Sequence, residues 1–190
     1  VIYLDSAATT LQKPPSVARA TAYAIDHLAS PGRGGHRPAM AAADTAFACR
    51  EEAAALFHVP SVDQVVFTFN ATHGLNIAIK TLVHPGDRVV ISGYEHNAVT
   101  RPLHAIPEVE ILVARSPLFD RQGMIDSFRQ CLDQGADAAI CTHVSNVFGF
   151  ILPIQEIAEL CRQREVPLIV DASQSAGVLP LDIQELGAAF

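Results

Sequence analysis

Residues 136–149 read Ala-Asp-Ala-Ala-Ile-Cys-Thr-His-Val-Ser-Asn-Val-Phe-Gly, a largely apolar run through Thr142 that turns polar at its end. A short apolar run without alternation suits a strand buried on both faces, the signature of a parallel sheet. Working outward, helical apolar spacing covers Met124 to Gln134 before it and Ile154 to Arg164 after it. Pro167 to Val170 is again strand-like and ends at Asp171. Further upstream come a β-rich run at Gln64 to Phe69, a helix at Thr72 to Leu82 and a strand at Arg88 to Ser92. A helix near Asn97 to Ala105 and a strand at Glu110 to Val113 follow. Strand and helix repeated in this way predict right-handed βαβ crossovers, hence an α/β fold with a mainly parallel sheet and flanking helices.

The first third reads differently. Val1 to Asp5 is expected to be a short strand, and Pro14-Pro15 opens a helix to about Leu28, since proline is tolerated in a first helical turn. Ser30-Pro31-Gly32-Arg33-Gly34-Gly35-His36 is a glycine-rich loop, and Pro38 to Phe57 is an Ala-rich helix. The expected organisation is an arm, helix and loop over 1–37, then a partial large domain over 38–190. A last helix begins at Gln184 to Ala188, and the sheet is expected to lack the strands that would close it.

Composition narrows the function. At 190 residues, 49% hydrophobic and 17% charged, the chain has the makings of one sizeable core and is not disordered. Its net charge of −7 and scattered Arg and Lys offer no basic stripe, so nucleic acid is not an expected partner. No apolar stretch approaches a membrane span, and no secretory signal opens the chain, so the expected location is the cytoplasm. Cys49, Cys131, Cys141 and Cys161 form no C-x-x-C pair and read as small core residues. The eight histidines show no ligand spacing, so no metal is expected.

In open α/β sheets ligands bind beyond the carboxyl ends of the strands, near helix N-termini. Four segments stand there. Asn70-Ala71-Thr72-His73-Gly74 opens a helix and suits either a phosphate or an ordinary N-cap. Ser92-Gly93-Tyr94-Glu95-His96-Asn97 offers a histidine that could lie on a planar group or be a plain loop residue. Thr142-His143-Val144-Ser145-Asn146 is polar where a strand ends, which calls for buried partners or makes a Ser/Asn turn. Val170-Asp171-Ala172-Ser173-Gln174 places a carboxylate at the end of a buried strand. That position is costly without a cation or several donors, and capping of a following turn is the plain alternative. Taken in order, the four converge on one phosphorylated aromatic cofactor. Gly32-Arg33-Gly34-Gly35 does not fit G-x-G-x-x-G and follows a helix, which argues against a nicotinamide-dependent oxidoreductase.

The series Tyr3-Leu4-Asp5-Ser6-Ala7-Ala8-Thr9, Arg33-Gly34-Gly35-His36, Glu95-His96-Asn97-Ala98, Thr142-His143-Val144-Ser145-Asn146-Val147-Phe148-Gly149 and Val170-Asp171-Ala172-Ser173-Gln174 resembles the class V, fold type I pyridoxal phosphate (PLP) enzymes. Within them it is most similar to the cysteine desulfurase and selenocysteine lyase group. The resemblance implies that the chain is the N-terminal portion of the PLP-binding large domain, incomplete at its C-terminus. Ala71, Thr72 and His73 would then hold the cofactor phosphate, with Thr72 supplying its hydroxyl. His96 would stack on the ring and assist proton transfer, as the catalytic residue present in the chain. Asp171 would pair with the ring nitrogen, Gln174 would bond the phenolic oxygen, and Asn146 would reach the substrate carboxylate or the ring face. Ala8 would lie near the substrate, and His36 would approach from a neighbouring subunit of a homodimer. Ala71 stands where many relatives have Thr, so its contact would be through the backbone; His73 replaces a more usual Glu.

The activity so implied takes L-cysteine to L-alanine and leaves the sulfur as an enzyme persulfide, for onward transfer to an acceptor protein. The family's Schiff-base lysine and nucleophilic cysteine match nothing here. Only Lys13 and Lys80 are present, and Lys80, more than two turns into its helix, is expected to point away from the site. The chain alone is expected to be inactive. Selenocysteine lyase, cystine C–S lyase or aminotransferase chemistry, and a non-catalytic assembly role, are the alternatives.

Overall fold

A computed structural model describes residues 2–190. The chain forms two compact units, one ending at Val66 and the other spanning Phe67–Phe190.

In the first unit, α1 (Pro15–His27) has Pro14 at its N-cap and Pro15 at N1, where a missing N–H costs nothing. None of its residues is buried. Helix α2 (Arg37–Phe57) starts after His36 and buries Ala39 and Ala42. It stops at His58, which takes the left-handed conformation at φ 53°. Arg50 on α2 donates to the Val62 and Val65 carbonyls at 2.7 and 2.8 Å, holding the 3-10 turn Val62–Gln64 beside the helix.

The second unit carries the sheet. Its elements are α3 (Ala71–Leu82), β1 (Arg88–Ser92), α4 (Asn97–His104), β2 (Glu110–Ala114), α5 (Arg121–Leu132), β3 (Ala138–Thr142), α6 (Ile154–Arg162), β4 (Leu168–Asp171) and the short α7 (Ile183–Leu186). The four strands are parallel in the order β2-β1-β3-β4. Side chains alternate between two cores, as the period-two geometry of a strand requires. Val89, Ile91, Ala138, Ile140 and Ile169 face Leu75 and Ile79 of α3 and Val99 and Leu103 of α4. Val90, Ala139, Cys141 and Leu168 face Met124 and Phe128 of α5 and Ile157, Ala158 and Cys161 of α6. Every residue of β3 is buried, which is why its sequence shows no polar alternation.

The connection from β1 runs outward to β2 and that from β3 runs outward to β4, so the direction of winding reverses between these adjacent strands. Such a reversal opens a crevice at their carboxyl ends. Five residues join the end of α3 to the start of β1, so α3 runs back along the sheet and its N-terminus lies at the same carboxyl edge.

Two expected strands are absent. Gln64 closes the 3-10 turn, and the residues from Val65 to Phe69 join no ladder; Val66, Phe67 and Phe69 are 73%, 57% and 93% exposed. Residues 2–5 likewise form no strand, and Ile2 and Leu4 are exposed; the Val1 end of that expectation lies outside the described residues. A β-prone composition makes a strand only where a neighbour supplies a hydrogen-bonding edge.

Candidate functional site

Among the described residues, the buried polar ones are Ser92, Thr142, His143, Ser145, Asp171 and Ser175. All stand at, or just beyond, the carboxyl ends of β1, β3 and β4. Buried polar groups are costly unless partnered, so their concentration on one edge marks that edge as the site.

Asp171 ends β4 and is 7% exposed. Its Oδ1 accepts the Ser173 N–H at 3.0 Å and the Ser173 hydroxyl at 2.5 Å. Its carbonyl accepts from the His143 N–H at 2.9 Å, which stitches the ends of β3 and β4 together. Among the described residues no Lys, Arg or His forms an ion pair with it. A buried carboxylate so placed is suited to receive a cation.

The N-terminus of α3 offers the opposite charge preference. Asn70 caps it, its side chain accepting the His73 N–H at 2.9 Å while its carbonyl takes the Gly74 N–H at 3.1 Å. No protein acceptor takes the Ala71 or Thr72 N–H among the described residues. Two open donors at the positive end of a twelve-residue helix suit an anion. The His73 side chain is turned elsewhere: its ring stacks on Phe69 at 5.3 Å, and its Nδ1 accepts the Phe69 N–H at 3.4 Å. Only its backbone belongs to the helix start.

His96 is the N-cap of α4, and its Nδ1 accepts the Ala98 N–H at 3.1 Å. That bond fixes the ring and places the proton of the neutral imidazole on Nε2. Two hollows meet at His96. One, of about 410 Å³, is lined by Thr72, Asn76, Lys80, His96, Asn97 and Arg101 among others. The other, of about 360 Å³, joins Glu95, His96 and Asn97 to Ser145, Asn146 and Phe148. Thr72 and Asn146 therefore each share a hollow with His96. Asn146 is exposed there because Ser145 organises its turn: the Ser145 Oγ accepts from the Val147 and Phe148 N–H groups at 3.4 and 3.3 Å. Gly149 closes the turn at φ 65°, a conformation that a side chain would strain.

Gln174 lies three residues past Asp171, half-buried. Ala8 and His36 belong to the other unit. Ala8 closes a turn onto the Asp5 carbonyl at 3.1 Å, and His36 caps α2. Lys80, four and eight residues after Asn76 and Thr72 respectively, lines with them a hollow of α3 and α4 residues that reaches His96 and includes neither Asp171 nor Asn146. Residues four apart share a helix face.

Sequence reading quoted Glu95, Ser92 and His143 within its four segments but gave them no role of their own. The Glu95 Oε1 accepts the Ser92 hydroxyl at 2.5 Å and the Thr142 N–H at 2.7 Å, bridging the ends of β1 and β3. Its Oε2 is sealed from solvent with no partner. Burial above all, with Asp171 adding repulsion, raises its pKa to about 7 against the bonds from Ser92 and Thr142. His143 has an unpartnered, buried Nδ1, and burial lowers its pKa. The available signal was the pair Ser92-x-x-Glu95 where an apolar strand ends.

Taken together, the edge offers an anion seat at Ala71 and Thr72, a flat face at His96 and a buried carboxylate at Asp171. These residues fit a phosphorylated group with a cationic aromatic ring.

The Aminotransferase class-V family model matches residues 2–190. Cysteine desulfurase IscS of Vibrio campbellii is 32% identical over 97% of this chain and 47% of its own length. The apo structure of cysteine desulfurase from Thermococcus onnurineus NA1 superposes with a TM-score of 0.89 at 25% identity, covering 99% of this chain and 48% of that one. The cystine C–S lyase C-DES, in complex with its reaction product cysteine persulfide, gives 0.77 at 26% identity over 92% and 48%. A lysine-to-alanine mutant of C-DES with glycine covalently linked to its PLP cofactor gives 0.78 at 25%, with the same coverage. The chain spans about half the length of these relatives.

Proposed function

Because the chain belongs to the class-V aminotransferase family, we propose that it is the cofactor-docking portion of a PLP-dependent cysteine desulfurase. That enzyme takes L-cysteine to L-alanine and passes the sulfur to an enzyme cysteine as a persulfide. The observation that carries the reading is the buried Asp171 carboxylate, without a cationic partner among the described residues, on the same sheet edge as the open N-terminus of α3. PLP, when bound, supplies an electron sink for the substrate carbon framework.

Ala71 and Thr72 would hold the phosphate through their N–H groups and the Thr72 hydroxyl, with His73 contributing only its backbone. Asp171 would keep a proton on the ring nitrogen by direct charge attraction. His96, with Nδ1 committed to Ala98, would lay its ring on the cofactor and have Nε2 available for proton transfer. Gln174 would bond the phenolic oxygen, and Asn146 would reach the substrate carboxylate or the ring face. Ala8 and His36 are assigned to the substrate side by the resemblance, His36 in a neighbouring subunit of a homodimer. Residues 38–190 form part of the PLP-binding large domain on this reading, with 1–37 as its arm. The protein works in the cytoplasm and delivers sulfur to an acceptor protein, and the 190 residues alone do not turn over.

A second reading, C–S lyase, is favoured by the likeness to C-DES. Incubating the full-length protein with L-cysteine separates the two: alanine with one equivalent of persulfide sulfur supports the desulfurase. Pyruvate with ammonia overturns it for the lyase.

A further inference from the structure

Glu95 stands in the crevice where the winding of the sheet reverses, and its carboxyl ties the end of β1 to the end of β3. One oxygen does that work. Oε1 accepts from Ser92 and Thr142, while Oε2 is enclosed and makes no hydrogen bond. A buried polar atom without a partner calls for an explanation. An ionised carboxyl would leave Oε2 as an unsatisfied charge. A neutral one keeps both Oε1 bonds and places on Oε2 an unbonded hydroxyl, which costs far less to bury than an unbonded charge.

We propose that Glu95 is a positioning residue of the cofactor site whose Oε2 carries a proton while Asp171 is unpaired and releases it when a cationic ring settles against Asp171. The inference rests on the PLP reading above. Two titratable groups interact with the carboxyl. Asp171, from β4, is the anion that repels its charge. Cys141, from β3, is held as a neutral thiol by burial. His96 follows it in the chain and is exposed. Asp171 is thus the neighbour that changes state when the site fills. A cation beside it offsets its field, and the proton then passes from Oε2 to the buffer, turning carboxyl into carboxylate with no other bond altered. A pKa of about 7 puts this exchange near neutrality. The carboxylate so formed adds a second negative charge behind Asp171, which strengthens the hold on the ring.

Calorimetric titration of the full-length apo-protein with PLP, at pH 7 in two buffers of different ionisation enthalpy, counts the protons. Wild type should release about half a proton more per site than Glu95→Gln, because a group of pKa about 7 is half protonated at that pH. Its affinity for PLP should also rise more steeply between pH 6 and 8. Glu95→Gln keeps the Oε1 acceptor and mimics the neutral form. Equal proton counts with both proteins binding PLP would overturn the inference and leave the cofactor reading standing. No binding by wild type overturns the cofactor reading instead. Should the variant not fold, infrared spectra of wild type labelled with carbon-13 glutamate decide: the carboxylic C=O band must weaken on adding PLP, and its persistence refutes the proposal.

Discussion

Asp171 and Glu95 are two carboxyls on one sheet edge, and their surroundings give them different tasks. Asp171 accepts two bonds from Ser173 and has a partly satisfied anion, while Glu95 is enclosed with one oxygen bare. Replacing Asp171 with Asn keeps the shape and removes the charge. In the full-length enzyme this should lower kcat about a hundredfold or more, the usual scale for losing a preorganised electrostatic partner, while PLP still binds. Glu95 makes a stability prediction with a definite sign. Its folded pKa is raised from 4.5 to about 7. Its contribution is therefore whole below pH 4.5 and is lost as pH rises through 7. The loss is on the order of 3 kcal/mol at 1.36 kcal/mol per pKa unit. Urea unfolding from pH 4.5 to 8 should show that decline in wild type and not in Glu95→Gln. His143 acts in the other direction, since burial lowers its pKa from 6.5 and its contribution is lost on acidification. Asp171 was legible because a lone carboxylate after Leu-Ile-Val is conspicuous in a sequence. Glu95 was not, because burial arises only when Thr142, 47 residues later, brings its N–H alongside.

At the scale of elements, α3 decides whether the anion seat exists. Asn70 holds the first turn open by taking the His73 N–H. Asn70→Ala should cost about 1 kcal/mol in denaturant unfolding and weaken inorganic phosphate binding with it. Gly74, inside the helix, has room: a Cβ there would meet the Thr68 Oγ1 at 3.5 Å, an ordinary contact. Gly74→Ala should therefore leave the seat intact and raise stability by about 0.5–1 kcal/mol. Helix starts such as this one were readable in advance, since a cap residue and apolar spacing are local. The run from Gln64 to Phe69 was misread for the complementary reason. Val65, Val66 and Phe67 have the composition of a strand, but a ladder needs a partner, and partners are not written in the run itself.

For the whole molecule, strand and helix alternation from Arg88 to Asp171 sufficed to foresee a parallel sheet, because crossovers of that length have one favoured hand. The winding reversal between β1 and β3 was beyond it, since spatial strand order depends on which core each helix fills. That two-sided packing also buries Cys141 on β3 and Cys161 on α6, at 0% and 2% exposure, within one core, while Cys49 on α2 is exposed. Burial pushes the Cys161 thiol up to about 12 and the Cys141 thiol well above its ordinary range. An alkylating reagent should consume Cys49 at once and reach the inner pair only during rare openings of the sheet. Those two sulfurs are thus a built-in stopwatch: the lag before they are modified reports how often the β3–α6 layer comes apart, without any probe having to be introduced.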